Sequence, residues 1–255
     1  MSDNDRIATL EKQVSALTQR LTVREDELDV RKLQHLYGYL IDKCLYNETV
    51  DLFTDDGEVH FFGGIWKGKE GIRRLYVERF QKRFTYGTNG PIDGFLLDHP
   101  QLQDIINIQP DGVTALGRAR SMMQAGRHKD HVGSEPHLQS RQWWEGGIYE
   151  NTYEKVDGVW RIKILNYMPQ WHADFETGWA NTPPEYVPFP KVTYPTDPTG
   201  PDALIEGHWL WPTHKLVPFH MKHPVTGQEI VAERWQGDTD RESARNAAKL
   251  AEAGA

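Results

Sequence analysis

An apolar stripe at helical spacing opens the chain. Between Ile7 and Leu21, apolar side chains recur at steps of three and four residues, and charged or amide side chains fill the gaps. This periodicity predicts an amphipathic helix with a coiled-coil seam. Because two heptads are too short to be stable alone, residues 1–21 form either a helix that rests on its own domain or an arm for oligomerisation.

A second helical pattern follows this arm directly. Thr22 and Glu25 have the spacing of a capping box, which predicts a new helix start at Val23. The apolar stripe of this helix extends to Cys44. The capping signal therefore separates the arm from a domain that is predicted to span residues 22–181.

The rest of the domain contains helical and strand patterns. Two further helices are expected at residues 48–53 and 69–84. Strands are expected at residues 58–62, 102–109, 113–124, 143–156 and 159–166. The Asp157-Gly158 dipeptide joins the last two strands as a tight turn. Helices followed by an antiparallel meander predict an α+β fold, with the helices on one face of a curved sheet.

The chain changes character at Thr182. Ten of the fifteen prolines lie between Pro183 and Pro224, and proline prevents regular strand ladders. An unstructured linker would be poor in aromatic residues, yet this segment is rich in them. Residues 182–255 are therefore predicted to be a Pro-rich extended arm that wraps the domain or a neighbouring subunit. Its last stretch, residues 240–255, is either a polar alanine-rich helix or a disordered end.

Composition narrows the classes of partner. The 37 acidic residues outnumber the 29 basic ones, and the basic residues are scattered, so nucleic acid is not an expected partner. No apolar run approaches the roughly 20 residues of a membrane span. Cys44 is the only cysteine, which excludes an intrachain disulfide and favours a reducing cytoplasm. Nine tryptophans fit either a large core or an aromatic ligand.

Three segments carry a family resemblance. They are LQHLYGYLID at residues 33–42, LFTDDGEVHF at residues 52–61 with GKEGI at 68–72, and GIYENTYEKVDGVWRI at residues 147–162. In this order and spacing they resemble the SnoaL-like branch of the nuclear transport factor 2 (NTF2)-like superfamily, which includes scytalone dehydratase. The resemblance implies a cone of helices on a strongly curved antiparallel sheet around one apolar pocket.

Within this branch the chain looks most like the sphingomonad enzymes that remove formaldehyde, without a cofactor, from lignin-derived diarylpropane diols. The resemblance implies a cofactor-independent lyase with a small aromatic substrate. Fold does not determine function in this superfamily. A dehydratase or isomerase of an aromatic or polyketide substrate, and a non-catalytic binding module, therefore remain alternatives.

The resemblance also indicates catalytic candidates. Asp42 and His99 fall where scytalone dehydratase has its active-site aspartate and histidine, although Asp42 could instead be a solvated helix carboxylate and His99 could equally be a loop histidine. Tyr37 precedes Asp42 on the same helix and could offer a phenolic proton. His60 is a second-choice acid or base, because strand alternation leaves open whether it or Phe61 faces inward.

Strand alternation suggests binding candidates on the last two strands. Tyr149 and Asn151 share one face and are favoured for the pocket, but a bulge would expose Glu150 instead. Asn166 shares a face with Trp160 and should extend a buried apolar row, where it holds either a structural hydrogen bond or a ligand hydroxyl.

The remaining candidates are less specific. Phe61 and Trp143 are expected to contact substrate rings, and Arg118 lies either at a subunit interface or in the pocket. No metal or other cofactor is expected, because the histidine pairs at 128/131 and 220/223 lack further ligands at a recognisable spacing. A homo-oligomer is expected, either a dimer or, as in scytalone dehydratase, a trimer.

Overall fold

The computed structural model describes residues 2–131, 142–207, 210–213 and 216–231. The helices are α1 Asp3–Asp42, α2 Tyr46–Asp51, α3 Gly68–Arg73 and α4 Lys82–Thr85. A π-helical segment, Arg74–Gln81, joins α3 to α4 into one continuous helical stretch. A short 3-10 helix, Pro184–Tyr186, follows later in the chain. The structure thus contains the long helix predicted at residues 69–84.

Eight strands form one sheet. They are β1 Phe53–Phe61, β2 Gly64–Lys67, β3 Phe95–Asp98, β4 Gln101–Ile108, β5 Thr114–Arg127, β6 Gln142–Val156, β7 Val159–Asp174 and β8 Ala203–Leu204. The sheet order is β3-β5-β6-β7-β1-β2-β8, and β4 also pairs with β5. Strands β2, β3 and β8 were not predicted, because each has only two to four residues and no clear alternation.

The α+β architecture is confirmed, with helices packed on a curved sheet. One detail differs, because β1 runs parallel to β7 and the sheet is therefore mixed. A meander forces consecutive strands to be antiparallel. β1 instead meets β7 only after the helices and three other long strands, so its direction is set by that longer connection.

Helix α1 is continuous over 40 residues, so the predicted restart at Val23 is wrong. Its capping box lies at the true start, where Ser2 accepts from the backbone N–H of Asp5. A capping box needs its first residue outside the helix, whereas Thr22 lies within an unbroken helical ladder. The apolar side chains of the arm are more than half exposed, so the arm does not rest on its own domain.

The core lies between the second half of α1, the continuous helical stretch and the inner face of the sheet. Val30 and Ile41 of α1, Leu75 of the π-helical segment, and Ile162 and Leu165 of β7 are buried there. Burial of each such aliphatic side chain contributes roughly 1.5–3 kcal/mol to folding. Helical residues 3–21 contribute nothing to this core, because they extend beyond the sheet.

The buried face of β7 changes along the strand. Trp160 and Ile162 are buried, and further along Leu165 and Tyr167 are buried instead of the even-numbered positions. A register shift between β6 and β7 accompanies the change. One extra residue in a strand reverses the face of every later side chain. The expectation that Asn166 extends the buried row is therefore wrong, because Tyr167 takes the inner face.

The described part of the C-terminal segment packs on its own domain. Val187 and Phe189 pack against the core, and Asp202 forms an ion pair of 2.6 Å with Arg74. Strand β8 extends the sheet by pairing with β2. Residues 240–255, predicted to be a helix or a disordered end, lie outside the described residues. Among the helices that are described, none combines the length and apolar character needed to cross a membrane.

Candidate active site

His99 occupies the centre of a buried polar cluster on the inner face of the sheet. It lies between β3 and β4, and its Nε2 atom is 3.2 Å from the Tyr149 hydroxyl of β6. Burial lowers the pKa of His99 to about 4, although the nearby carboxylates of Glu145 and Asp98 partly oppose this effect. The imidazole is therefore neutral at pH 7, and its buried Nδ1 atom has no hydrogen-bond partner.

Asp42 is the last residue of α1 and reaches the same cluster. Burial and the neighbouring carboxylate of Asp98 raise the pKa of Asp42 to about 6, while the backbone N–H of His99 and the charge of Lys43 act in the opposite direction. Its Oδ1 atom is buried without a hydrogen-bond partner. A half-buried carboxylate that titrates this close to neutrality suits a general base.

Tyrosine hydroxyls line the other side of the cluster. The Tyr37 hydroxyl lies 3.0 Å from that of Tyr76, and the Tyr37 ring meets the Tyr149 ring edge to face at 6.0 Å. Burial raises the pKa of Tyr37 to about 12, although hydrogen bonds to Tyr76 and Tyr149 moderate the rise. These phenols stay protonated at neutral pH and can donate hydrogen bonds or protons.

Besides Tyr76, sequence reasoning missed three polar residues of this site. The Tyr167 hydroxyl donates to Glu145 Oε1 at 2.6 Å, and His172 Nε2 lies 3.2 Å from Glu145 Oε2 without hydrogen-bond geometry. Burial and the Glu145 carboxylate raise the pKa of Tyr167. The Tyr167 ring lies 4.8 Å from the Tyr149 ring and so joins this pair to His99. Glu145 could have been found, because it shares the face of Tyr149 at period two.

Gly147 makes room for this arrangement. A Cβ atom at Gly147 would lie 2.3 Å from the Tyr167 ring, so only glycine lets that ring lie against β6. Tyr167 and His172 carried no such signal in the sequence. The β7 bulge moved Tyr167 to the inner face, and the strand was expected to end before His172.

Asn151 lies on the predicted inner face but is fully used in structural hydrogen bonds. Its Nδ2 donates to Gln34 Oε1 at 2.9 Å, and its Oδ1 accepts from the backbone N–H of Asn166 at 2.8 Å. Tyr153 also donates to Gln34 Oε1, at 2.6 Å. This network joins α1 to β6 and β7 next to the bulge, and it leaves little of Asn151 for a substrate.

The structure places three predicted site residues on the outer face of the sheet. His60 pairs with Glu58 at 2.7 Å on that face, and it neighbours Asn166 across the β1–β7 ladder. Arg118 also points outward, where it contacts Glu150 and the backbone of residues 217–218. Strand alternation therefore separates all three from His99. For His60 and Arg118 the outward alternative is the one that the structure shows, and Asn166 does not enter the pocket.

Phe61 and Trp143 remain on the inner side. The Phe61 ring stacks on that of Tyr167, with centroids 5.9 Å apart. Trp143 lines an open cleft of about 470 Å³ at the end of the sheet. The cleft is lined by Gly94, Phe95, Leu96, Gln124, Ala125, Gly126, Arg127, His128, Gln142, Trp143, Trp144 and Phe175. Trp143 and Glu145 lie two residues apart on β6, about 7 Å, so the cleft adjoins the buried cluster.

Comparison with family models decides the family. A model described as a SnoaL-like domain matches residues 22–166. The chain belongs to the SnoaL-like domain family. A search among curated proteins found no match.

The chain is also similar to several solved structures. A protein assigned as a scytalone dehydratase from Novosphingobium aromaticivorans is 17% identical, with 60% of this chain and 90% of that chain covered and a TM-score of 0.47. A hexachlorocyclohexane dehydrochlorinase, LinA-type3 from Novosphingobium barchaimii, is 17% identical, with coverages of 64% and 94% and a TM-score of 0.44. An NTF2-like protein with a cystatin-like fold from N. aromaticivorans is 20% identical, with coverages of 60% and 87% and a TM-score of 0.43.

The matched SnoaL-like range contains Asp42, His99, Glu145 and Tyr149, whereas His172 lies beyond it. Within the described parts of the chain, no three His, Cys, Asp or Glu side chains converge as metal ligands. The absence of a metal requirement stays a prediction, which a chelator experiment tests below.

Proposed function

We propose that the protein is a cofactor-independent lyase that converts a hydroxylated, lignin-derived diarylpropane diol into a stilbene, water and formaldehyde. One observation carries the proposal. Asp42, a carboxylate with a pKa of about 6, meets the neutral His99 and its Tyr149 partner in one buried cluster. Each step needs only proton transfer, which these side chains can perform.

The first step breaks the benzylic C–O bond. A phenolic hydroxyl, from Tyr149 or Tyr37, donates a proton to the departing hydroxyl, which leaves as water. The proton of the substrate's para-hydroxyl passes through His99 to the tyrosine that donated its own, and the para-oxygen supplies the electron pair, so the product is a quinone methide. His99 has too low a pKa to act as an imidazolium acid at pH 7, and it therefore serves as a relay that exchanges a proton with Tyr149.

The second step breaks a C–C bond. Asp42 takes the proton of the terminal hydroxymethyl group, whose oxygen then forms the C=O bond of formaldehyde. The electron pair of the broken C–C bond forms the stilbene double bond and restores the aromatic ring. Asp42 then releases this proton and the para-oxygen regains one, so the protein ends unchanged and atoms and charges balance. Burial of the cluster keeps water away from the quinone methide.

The test is direct. Purified protein is incubated with a hydroxylated diarylpropane diol, formaldehyde is assayed by a colour reaction and the stilbene by its ultraviolet absorbance. Equal amounts of both products are expected, formed about 100-fold or more slowly by the D42N variant. A spectral change without formaldehyde would indicate a dehydratase instead. Tight binding without turnover would indicate a binding module and would contradict the proposal.

We also propose that the protein is a homo-oligomer, a dimer or trimer, joined through the arm of α1. Leu10 and Leu17 belong to a seam whose side chains are each more than half exposed. Light scattering should give a mass near two or three chains. L10E and L17E should reduce it, whereas K12E, on the polar side of the helix, should not. A single-chain mass for the unaltered protein at micromolar concentration would contradict the assembly.

A further inference from the structure

A buried guanidinium without an acidic partner lies beside the candidate active site. Arg127 ends β5, is only 7% exposed and lines the open cleft. Its Nη2 donates to the carbonyls of Phe84, at 2.8 Å, and Arg83, at 3.4 Å. Its buried Nε has no hydrogen-bond partner. Across the described residues, no carboxylate approaches this guanidinium within ion-pair distance.

The visible contacts of Arg127 explain only part of its burial. The carbonyls of Phe84 and Arg83 close the last turn of a helix, where a cation is favourable. The rings of Tyr86 and Phe95 each lie 4.9 Å from the guanidinium carbon, a cation–π distance. These groups use one nitrogen and the flat faces of the guanidinium. A buried charge is normally paired, yet the positive charge of Arg127 is not neutralised.

We propose that Arg127 binds a carboxylate carried by an aromatic ring of the substrate. On the inner face of the sheet the cleft beside it is lined by the rings of Phe95 and Trp143, which suit an aromatic ring. A guanidinium offers two parallel N–H donors that match the two oxygens of a carboxylate. The substrate class is thus an aromatic acid, and for the reaction itself this inference rests on the proposed lyase function.

A carboxylate fits this site better than a phenol does. A benzoate-type acid is ionised at neutral pH, whereas a phenol with a pKa near 10 is not. A neutral phenol would leave the charge of Arg127 uncompensated. An aromatic carboxylate would neutralise this charge.

The spacing between Arg127 and Asp42 indicates a molecule longer than one ring. Phe95 is the ladder partner of Arg127, and Asp98, which acts electrostatically on Asp42, lies three residues further along β3. Three strand residues span about 10 Å. A diaryl substrate could therefore place its ring carboxylate at Arg127 and its reacting carbons near Asp42.

Binding of small probes tests the inference without turnover. Calorimetry would compare 4-hydroxybenzoate with its neutral amide, 4-hydroxybenzamide. We expect the acid to bind at least 10-fold more tightly to the unaltered protein, the usual range for a charged hydrogen-bonded pair. R127Q should abolish this preference. R120Q, which alters an exposed arginine on the opposite face of the same strand, should keep it.

The variants also guard against a folding artefact. Arg127 donates to helix carbonyls, so the melting temperature of R127Q is measured as a control for folding. R127K is a second control, because lysine keeps the positive charge but lacks the two parallel N–H donors of a guanidinium. R127K should retain part of the preference for the acid. Equal binding of acid and amide to the unaltered protein, or an unchanged preference in folded R127Q or R127K, would overturn the inference.

Turnover separates this inference from the proposed function. With a carboxylated diaryl diol and its methyl ester as substrates, R127Q should raise KM for the acid at least 10-fold and leave KM for the ester nearly unchanged. If the acid probe binds through Arg127 but no formaldehyde forms, the lyase proposal fails while the carboxylate site stands. If formaldehyde forms but R127Q affects acid and ester equally, the carboxylate site fails while the lyase proposal stands.

Discussion

Strand β6 carries the buried Glu145 on its inner face and the half-buried Glu150 on its outer face, and these two carboxylates have very different surroundings. On the outer face, Glu150 contacts both Arg118 and His220, and His220 also bonds Asn107 at 3.0 Å. On the inner face, Glu145 accepts a bond from Tyr167 but has no Arg or Lys partner among the described residues.

The difference distinguishes a structural cluster from a chemical one. Buried polar groups in folded proteins are normally paired, and the outer cluster follows this rule through Arg118, which also faces the Phe219 ring at 4.1 Å. The inner cluster breaks the rule at Asp42, His99 and His172, whose buried atoms lack hydrogen-bond partners. Unsatisfied groups with displaced pKa values are typical of functional sites.

Substitutions on the inner face of the sheet should lower turnover, whereas substitutions on the outer face should leave it nearly unchanged. H99Q and D42N should each lower turnover about 100-fold or more, the usual effect of losing a positioned acid or base. H60Q, the same histidine change on the outer face, should leave turnover within about 2-fold. Turnover and melting temperature are measured on the same samples. Unchanged turnover in folded H99Q or D42N would remove that residue from the mechanism.

D42N should also show that the inner carboxylate does not stabilise the fold at neutral pH. The pKa of Asp42 is raised, so its contribution to stability is present below the unfolded pKa and is lost as the pH rises through about 6. At pH 7 the asparagine variant should therefore melt no earlier than the unaltered protein.

The outer cluster should affect stability rather than turnover. R118M leaves Glu150 without its guanidinium partner, and losing one member of a buried ion pair costs about 3 kcal/mol of unfolding free energy. R120M, an exposed arginine on the same face, should cost less than about 0.5 kcal/mol. Denaturant titration measures both. A large loss of turnover in R118M without loss of stability would place Arg118 in the chemistry after all.

The pH dependence of kcat/KM should reflect the ionisation of Asp42 on the inner face alone. Asp42 acts as a base only when ionised, so kcat/KM should rise by about tenfold between pH 5 and pH 7, with its midpoint near pH 6. The pKa of His99 is about 4, so the neutral imidazole should add no second step in this range. A flat profile over these pH values would contradict Asp42 as the base.

Chelation should have the smallest effect of all. Prolonged dialysis against a chelator should leave turnover unchanged, because the proposed steps need only proton transfer. Activity that is lost on dialysis and restored by zinc or iron would show that the inner cluster works with a metal.

The sequence by itself determined the architecture and part of the site. Periodicity located the long helices and strands, because amphipathic patterns reflect which face of each element is buried. The pairing of Tyr149 with Asn151 on one face followed from the same alternation. Asp42 and His99 came from the family resemblance instead, since neither has a distinctive local pattern.

Only the tertiary structure decided which polar residues meet. The bulge in β7 places Tyr167 instead of Asn166 on the inner face, because one added residue reverses the face of every later side chain. No local sequence pattern predicts this bulge. Arg118 was assigned to the outer face by strand alternation together with the contacts of residues 217–219, about 100 positions away in the sequence. Only burial in the folded protein distinguishes His172 and Arg127 from other histidines and arginines of the chain. Burial without a partner is a property of three-dimensional packing, which residue types and spacing do not encode locally.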